Sequence, residues 1–253
     1  MPKKKLSRKG LLLSLLVLVF AIAIAGTSTY AWFAVNRSVT AQNMQVTVKS
    51  DTTYLVIKES ATPITDVDDL GTGTTVTATA DDSVVLPVRY NPSANPAEDY
   101  TKWEIATGEG YNDGDALNAT YHAVAEDDVD DYVIHYTFYV GLTSTTALPA
   151  SNLMVTALEA TAGNASGVFL PAVSVVLVCG STTINFVDVN SNTVKNTNPG
   201  AVLSATVAKN TVYTIDAYVY VNGDNEYITS ENATEANLGS FLLSMTLSCT
   251  PGA

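Results

Sequence analysis

Two histidines, two cysteines and 25 Asp+Glu are the material from which this 253-residue chain could build a reactive site. His122 and His135 lie outside any H-E-x-x-H motif, the spacing that sets two imidazoles on one helical face around zinc. His135 falls on the polar phase of an alternating stretch, as a surface or edge residue does. No G-x-S-x-G, phosphate loop or C-x-x-C occurs, which removes the commonest nucleophile, nucleotide and redox signatures. The expectation is a protein that is not an enzyme, with no catalytic or cofactor-binding residue. Cys179 and Cys249 both fall on the apolar phase of strand-like segments. A single disulfide between them and two separate buried thiols both fit that placement. Acidic clusters stand at Asp66/Asp68/Asp69, Asp113/Asp115 and Glu126/Asp127/Asp128/Asp130/Asp131. Calcium is the cation such oxygen-rich loops could hold, but none has EF-hand spacing, and a solvated acidic surface is the simpler reading. No metal site is assigned.

The charge balance narrows the partners. Twelve Lys+Arg against 25 Asp+Glu give a net charge of −13 and a pI near 4.3. Such a surface repels phosphate backbones, so nucleic acid is not an expected partner. Hydrophobic residues make up 47% and charged residues 15%, enough apolar material for a core and too little charge for disorder.

The N-terminus reads as an export signal. Lys3, Lys4, Lys5, Arg8 and Lys9 precede an apolar run from Leu11 to Ala25 broken only by Ser14. Small residues follow, and the three parts make a secretory signal peptide. The run is shorter than the ~20 residues that span hydrocarbon, so the membrane is expected only through the precursor's signal segment; a retained anchor, lengthened by Tyr30, Trp32 and Phe33 at the interface, is the other reading. Ala23-Ile24-Ala25 and Thr29-Tyr30-Ala31 offer two cleavage points. Cutting after Ala31 removes five basic and no acidic residues, leaving 7 basic against 25 acidic and a net charge of −18. The expected product is a secreted, acidic protein of residues 32–253 forming a single domain.

That domain reads as strands. Period-two alternation recurs at Tyr132–Val140, Tyr213–Val221 and Leu243–Cys249, the signature of half-buried β structure. Further strands are expected at Gln45–Lys49, Tyr54–Lys58, Thr74–Thr79, Val84–Arg89, Leu153–Leu158, Val173–Cys179, Thr183–Val187 and Ala201–Val207. Turn chemistry such as Asn198-Pro199-Gly200 and Asn222-Gly223-Asp224 separates them. About eleven short strands with this punctuation favour an all-β, antiparallel sandwich of jelly-roll type. Residues 91–131 form a long polar excursion, read as a decorated loop of one sandwich with an insertion or second small lobe as the other reading, and a short helix is expected near 115–126.

Thr29-Tyr30-Ala31-Trp32-Phe33-Ala34-Val35-Asn36, then Val39-Thr40 and the strand Met44–Val48, resemble secreted proteins of the TasA/camelysin type. Ala217-Tyr218-Val219-Tyr220-Val221-Asn222-Gly223-Asp224, an acidic loop to Glu235 and a last strand look like that family's closing hairpin. Where many relatives carry E-G-x-D-x-x-C, Asn222 and Tyr227 stand here in place of Glu and Cys. The match covers about 25 residues at the start and 35 at the end. The resemblance implies a Gram-positive biofilm-matrix fibre protein with a jelly-roll fold, processed by a SipW-type signal peptidase. Camelysin relatives have been described as metalloproteases, and the missing H-E-x-x-H sets this chain apart from that activity.

The resemblance also implies assembly by strand exchange, in which an extended N-terminal segment completes the sheet of the next subunit. Trp32, Phe33, Val35, Val39, Met44, Val46 and Val48 would be the apolar contacts of that donor or first edge strand; an ordinary first strand paired within its own subunit is the other reading. The partners expected are other copies or other matrix subunits. Two alternatives stand beside a fibre subunit. One is a monomeric adhesin using Tyr100, Trp103 and Tyr111 of the excursion. The other is a type IV-like pilin, since Arg8-Lys9-Gly10 mimics a prepilin cleavage site, though Leu15 holds the place of the usual Glu.

Overall fold

A computed structural model describes residues 39–49, 55–79, 84–94, 99–107, 120–143, 149–162, 170–189, 201–225, 228 and 240–251. The leader with both cleavage points, Trp32, Phe33, Val35, Tyr111, Asp113, Asp115 and Tyr227 lie outside the described residues.

The alternating segments form strands in two sheets. In chain order the strands are β1 (Val39–Lys49), β2 (Leu55–Glu59), β3 (Thr75–Thr79), β4 (Val84–Val85), β5 (Pro87–Tyr90), β6 (Trp103–Thr107) and β7 (Thr120–Ala123). They continue as β8 (Val133–Leu142), β9 (Ala150–Ala162), β10 (Val173–Cys179), β11 (Thr182–Phe186), β12 (Val202–Val207), β13 (Tyr213–Asn222) and β14 (Ser240–Pro251). The first sheet runs β12-β9-β14-β1-β3, with β4 beside the start of β1. The second runs β11-β10-β13-β8-β2, and β5-β6-β7 join it where β5 meets the end of β13. The sheets pack together as a β-sandwich-like body.

The alternation explains the packing. Phe241, Leu243, Met245, Leu247 and Cys249 of β14 point inward, and Ile215, Ala217, Val219 and Val221 of β13 meet them from the other sheet. Strand β10 is apolar except for Ser174, whose buried hydroxyl donates to Ala172 O at 3.3 Å, because both its faces are covered. Val173, Val175 and Leu177 enter the main core, while Val176 and Val178 enter a second cluster behind the sheet. Continuous apolar runs of this length mark strands buried on both sides.

Two ladders depart from the expected antiparallel arrangement. Strand β1 pairs parallel to β14 over Thr40–Lys49, and β5 pairs parallel to β13 at Val221 and Asn222. Parallel neighbours need a long crossover, and between β1 and β14 nearly the whole domain serves as one. The expected strand Val84–Arg89 breaks at Leu86, whose N–H donates to Asp131 O (2.9 Å). Its first half stays in the first sheet as β4 and its second half crosses to the second as β5.

The polar excursion holds two strands that its weak alternation hid. Strands β6 and β7 pair antiparallel, and a 3-10 turn spans Glu126–Asp131. The helix expected near 115–126 is replaced in its described part by β7. This lobe has a core of Val88, Trp103, Val124, Val133, Val176 and Tyr220. At the other end of the same sheet face, Leu70 packs with Val56 and Tyr139.

Gly141 of β8 lies under that second cover. A Cβ there would meet Leu70 Cδ1 at 2.8 Å and Thr211 O at 3.1 Å. The leucine can yield but the carbonyl belongs to the backbone. Gly141→Ala should therefore destabilise the fold by about 1–3 kcal/mol, the usual cost of overpacking, seen as a lower urea midpoint.

Candidate functional site

Strand β1 is the element the sequence reading singled out, and the structure sets it inside the first sheet, not at an edge. It registers parallel to β14 from Thr40↔Ser240 to Lys49↔Ser248. On its other side it runs antiparallel to β3 from Asn43↔Thr79 to Thr47↔Thr75, and to β4 at Val39↔Val85. Met44, Val46 and Val48 are buried in the main core, with Val46 0% exposed. Gln45 is exposed and Thr47 half-buried on the outer face. Burying three such side chains contributes roughly 5–9 kcal/mol at about 1.5–3 kcal/mol each. Removing β1 would open a slot between β14 and the β3/β4 pair and expose the core beneath.

A polar cluster lies on the outer face of the second sheet between its two covers. The register sets His135 opposite Tyr218 and Thr137 opposite Asp216. The His135 ring stacks on Tyr218 with centroids 4.5 Å apart and planes 6° from parallel. Its Nε2 is 3.0 Å from Asp216 Oδ1, to which the Thr137 hydroxyl also donates at 2.8 Å. This is not a nucleophile–base–acid relay. The imidazole nitrogen nearest the carboxylate is also the one nearest Thr137, and the hydroxyl hydrogen goes to Asp216. Sequence reading found His135 but not Asp216 and Tyr218, which lie on a strand about eighty residues later.

The hydrogen bond from His135 holds Asp216 below the usual carboxylate range; burial opposes this, and the Thr137 hydrogen bond and histidine charge add to it. A depressed folded-state pKa stabilises the fold above the unfolded value, and that contribution is lost as pH falls through the folded one. Asp216 thus contributes fully at neutral pH and loses that contribution progressively as pH falls below about 4. Asp216→Asn should cost about 1 kcal/mol at pH 7, since the pair is partly solvated. It should also flatten the acid limb of stability against pH, as measured by urea unfolding between pH 2 and 7.

The residues expected in a closing hairpin form none, since β13 lies in the second sheet and β14 in the first; Asp224, just past β13, instead ties the excursion to the sandwich. Arg89 Nε lies 3.6 Å from Asp224 Oδ2 and 3.9 Å from Glu104 Oε2. Its guanidinium sits 4.3 Å over the Tyr121 ring, and the Tyr121 hydroxyl donates to Asp224 Oδ1 at 3.1 Å. Asn222 donates to Asp188 Oδ1 at 3.1 Å. Asp224 therefore contacts the β5-β6-β7 lobe, while Asn222 ties β13 to the segment after β11.

The remaining candidates are placed as follows. Trp103 is 3% exposed, against Tyr90, Tyr218 and Tyr220, so it is a core residue and not a contact for ligands. Tyr100 is half-buried. Burial pushes the Tyr220 phenol up to about 12, and its hydroxyl donates to Asn185. Cys179 and Cys249 are buried, on β10 and β14, and are not joined in a disulfide, and burial pushes the Cys179 thiol up. His122 is exposed on β7. Asp66 caps a 3-10 turn by accepting from Asp68 N at 3.0 Å, and the Glu126–Asp131 turn keeps its acids at the surface. Among the described residues no three His, Cys, Asp or Glu side chains converge as metal ligands would. No protein-family model, curated protein or solved structure matches the chain.

Proposed function

We propose that the chain is a non-enzymatic, exported structural protein, the subunit of an extracellular matrix or surface fibre in which first strands are exchanged between copies. The observation that carries this reading is β1 itself, an N-terminal strand with pairing on both sides and with Met44, Val46 and Val48 in the main core. Once the leader is removed, β1 is joined to the body only through its C-terminal end. An equivalent strand from another copy could then take its place without unthreading the fold, and the ladders and pockets it fills would supply affinity and register. The TasA/camelysin resemblance of the segment around Trp32 points the same way.

The jelly-roll class belongs to the same proposal. Its support is the strand order. With β1 and β8 to β14 taken in chain order, β12-β9-β14-β1 and β11-β10-β13-β8 follow the path of two interleaved Greek keys. The parallel β1–β14 ladder is the departure from that path. A sugar- or protein-binding module built on the excursion has less support, because Trp103 is spent on a core.

Electron microscopy of the processed protein tests the reading. Fibres are expected from the intact chain, and monomers after deletion of residues 32–40. Fibres that survive the deletion would defeat strand exchange. N-terminal sequencing of the secreted protein should give Gly26 or Trp32; a start at Leu11 would make the protein a pilin.

A further inference from the structure

The two sheets treat their outer faces differently. The second sheet is covered behind by the lobe around Trp103 and by the segment around Leu70, and the acidic turns at Val67–Leu70 and Glu126–Asp131 belong to those covers. On the first sheet Gln45, Thr75, Thr77, Thr156, Leu242, Ser244 and Thr250 are exposed. Across its strands the outward rows run Thr75–Thr47–Thr246 and Thr77–Gln45–Ser244–Glu159. The Thr47 and Thr75 hydroxyls are 3.4 Å apart. Glu159 is the one charge among the described outward side chains of β1, β3, β9 and β14. Leu242, one of two large hydrophobic side chains exposed among the described residues, sits there at 36% exposure.

From this we infer that the outer face of the β12-β9-β14-β1-β3 sheet is a contact surface for the same face of a second copy. Two chains of net charge −13 repel each other, and more so after the basic leader is lost. They approach at least cost through a surface whose described outward side chains on β1, β3, β9 and β14 carry a single charge. Short hydroxyl and β-branched side chains let two twisted sheets come within about 10 Å, the spacing of packed sheets. The face is small. Four strand spacings by eight residue steps make about 20 Å by 27 Å, on the order of 500 Å² per copy, where stable complexes bury about 800 Å² per partner. One pair of faces therefore binds weakly. A polymer that repeats the face binds another polymer through many such contacts at once, which raises avidity without new chemistry. That multivalent use rests on the fibre reading; the pairing of faces does not.

Charge exchange at Ser244, exposed at the middle of β14, tests it. Ser244→Glu and Ser244→Lys should each weaken self-association at least tenfold, and an equimolar mixture of the two should restore it. Thr183→Glu, on exposed β11 of the other sheet, adds the same charge elsewhere and should leave association near the wild-type level. Sedimentation velocity of the processed protein up to about 1 mM reads the pairing, and bundle width in electron micrographs reads it in fibres. If no variant or wild type forms fibres, the fibre reading falls while sedimentation still decides the face. Wild type that stays monomeric to 1 mM, with any fibres bundling equally after Ser244→Glu, would overturn the inference. So would single variants whose lost association the mixture fails to restore, which would point to a different occupant such as a glycan.

Discussion

Val46→Asp should leave the purified chain without a cooperative unfolding transition near 25 °C. Val46 is fully buried at the middle of β1 and pairs with Met245 on one side and Val76 on the other. A carboxylate there has apolar neighbours and is shut off from solvent. It must stay charged at a cost of several kcal/mol or take up a proton, and either penalty is large against a typical stability of about 5–15 kcal/mol. Val46→Ala removes only methyl contacts and should cost about 2 kcal/mol. Circular dichroism melts of the two variants separate these outcomes. The same Asp variant also tests strand exchange. A synthetic peptide with the natural sequence of residues 39–49, added during refolding, should restore a transition by filling the vacated slot. A variant that stays unfolded with saturating peptide would mean that β1 is an ordinary integral strand.

The inward phase of β1 was legible because Met44, Val46 and Val48 alternate with Gln45 and Thr47, and one buried face produces that pattern wherever the strand pairs. Its neighbours were not legible. The ladder to Ser240–Ser248 joins residues about two hundred positions apart, and period-two alternation is the same for parallel and antiparallel pairing. Position in the sheet is decided by which faces must be covered, a property of the whole body. The His135 cluster has the same origin. A lone histidine on a polar phase reads as surface, and the stacking on Tyr218 and bond to Asp216 depend on the register of β8 against β13.

The excursion shows the converse failure, in which a polar setting disguises an apolar role. Trp103 stands between Lys102 and Glu104, and such neighbours suggest a solvent-facing aromatic. Its burial partners come from β5, β10 and β13 and from Val124 beyond β7, so nothing within a few residues announces them. Strand β13 carries Tyr218 and Tyr220 on the phase opposite its core residues. In an isolated reading that face is a half-polar exterior; in the fold it is the floor on which the lobe sits.

Trp103→Ala should therefore act on stability and not on recognition. The ring centroid lies 5.1 Å from that of Tyr90, 5.2 Å from Tyr220 and 6.1 Å from Tyr218. Truncation empties the centre of the lobe, a loss of about 3–5 kcal/mol for a buried tryptophan. For a chain of this length that lowers Tm by roughly 10 °C, at about 2–4 °C per kcal/mol. Trp103→Phe keeps the aromatic packing against Tyr90 and Tyr220 and should recover more than half of the loss. The lobe is held to the second sheet by this cluster and by the partly exposed Arg89 contacts, and exposed ion pairs contribute little. Limited proteolysis of Trp103→Ala should consequently cut first between residues 91 and 131. An adhesin presenting Trp103 to a ligand would behave in the opposite way, losing binding to sugars or proteins while the melt and the cleavage pattern stayed those of wild type.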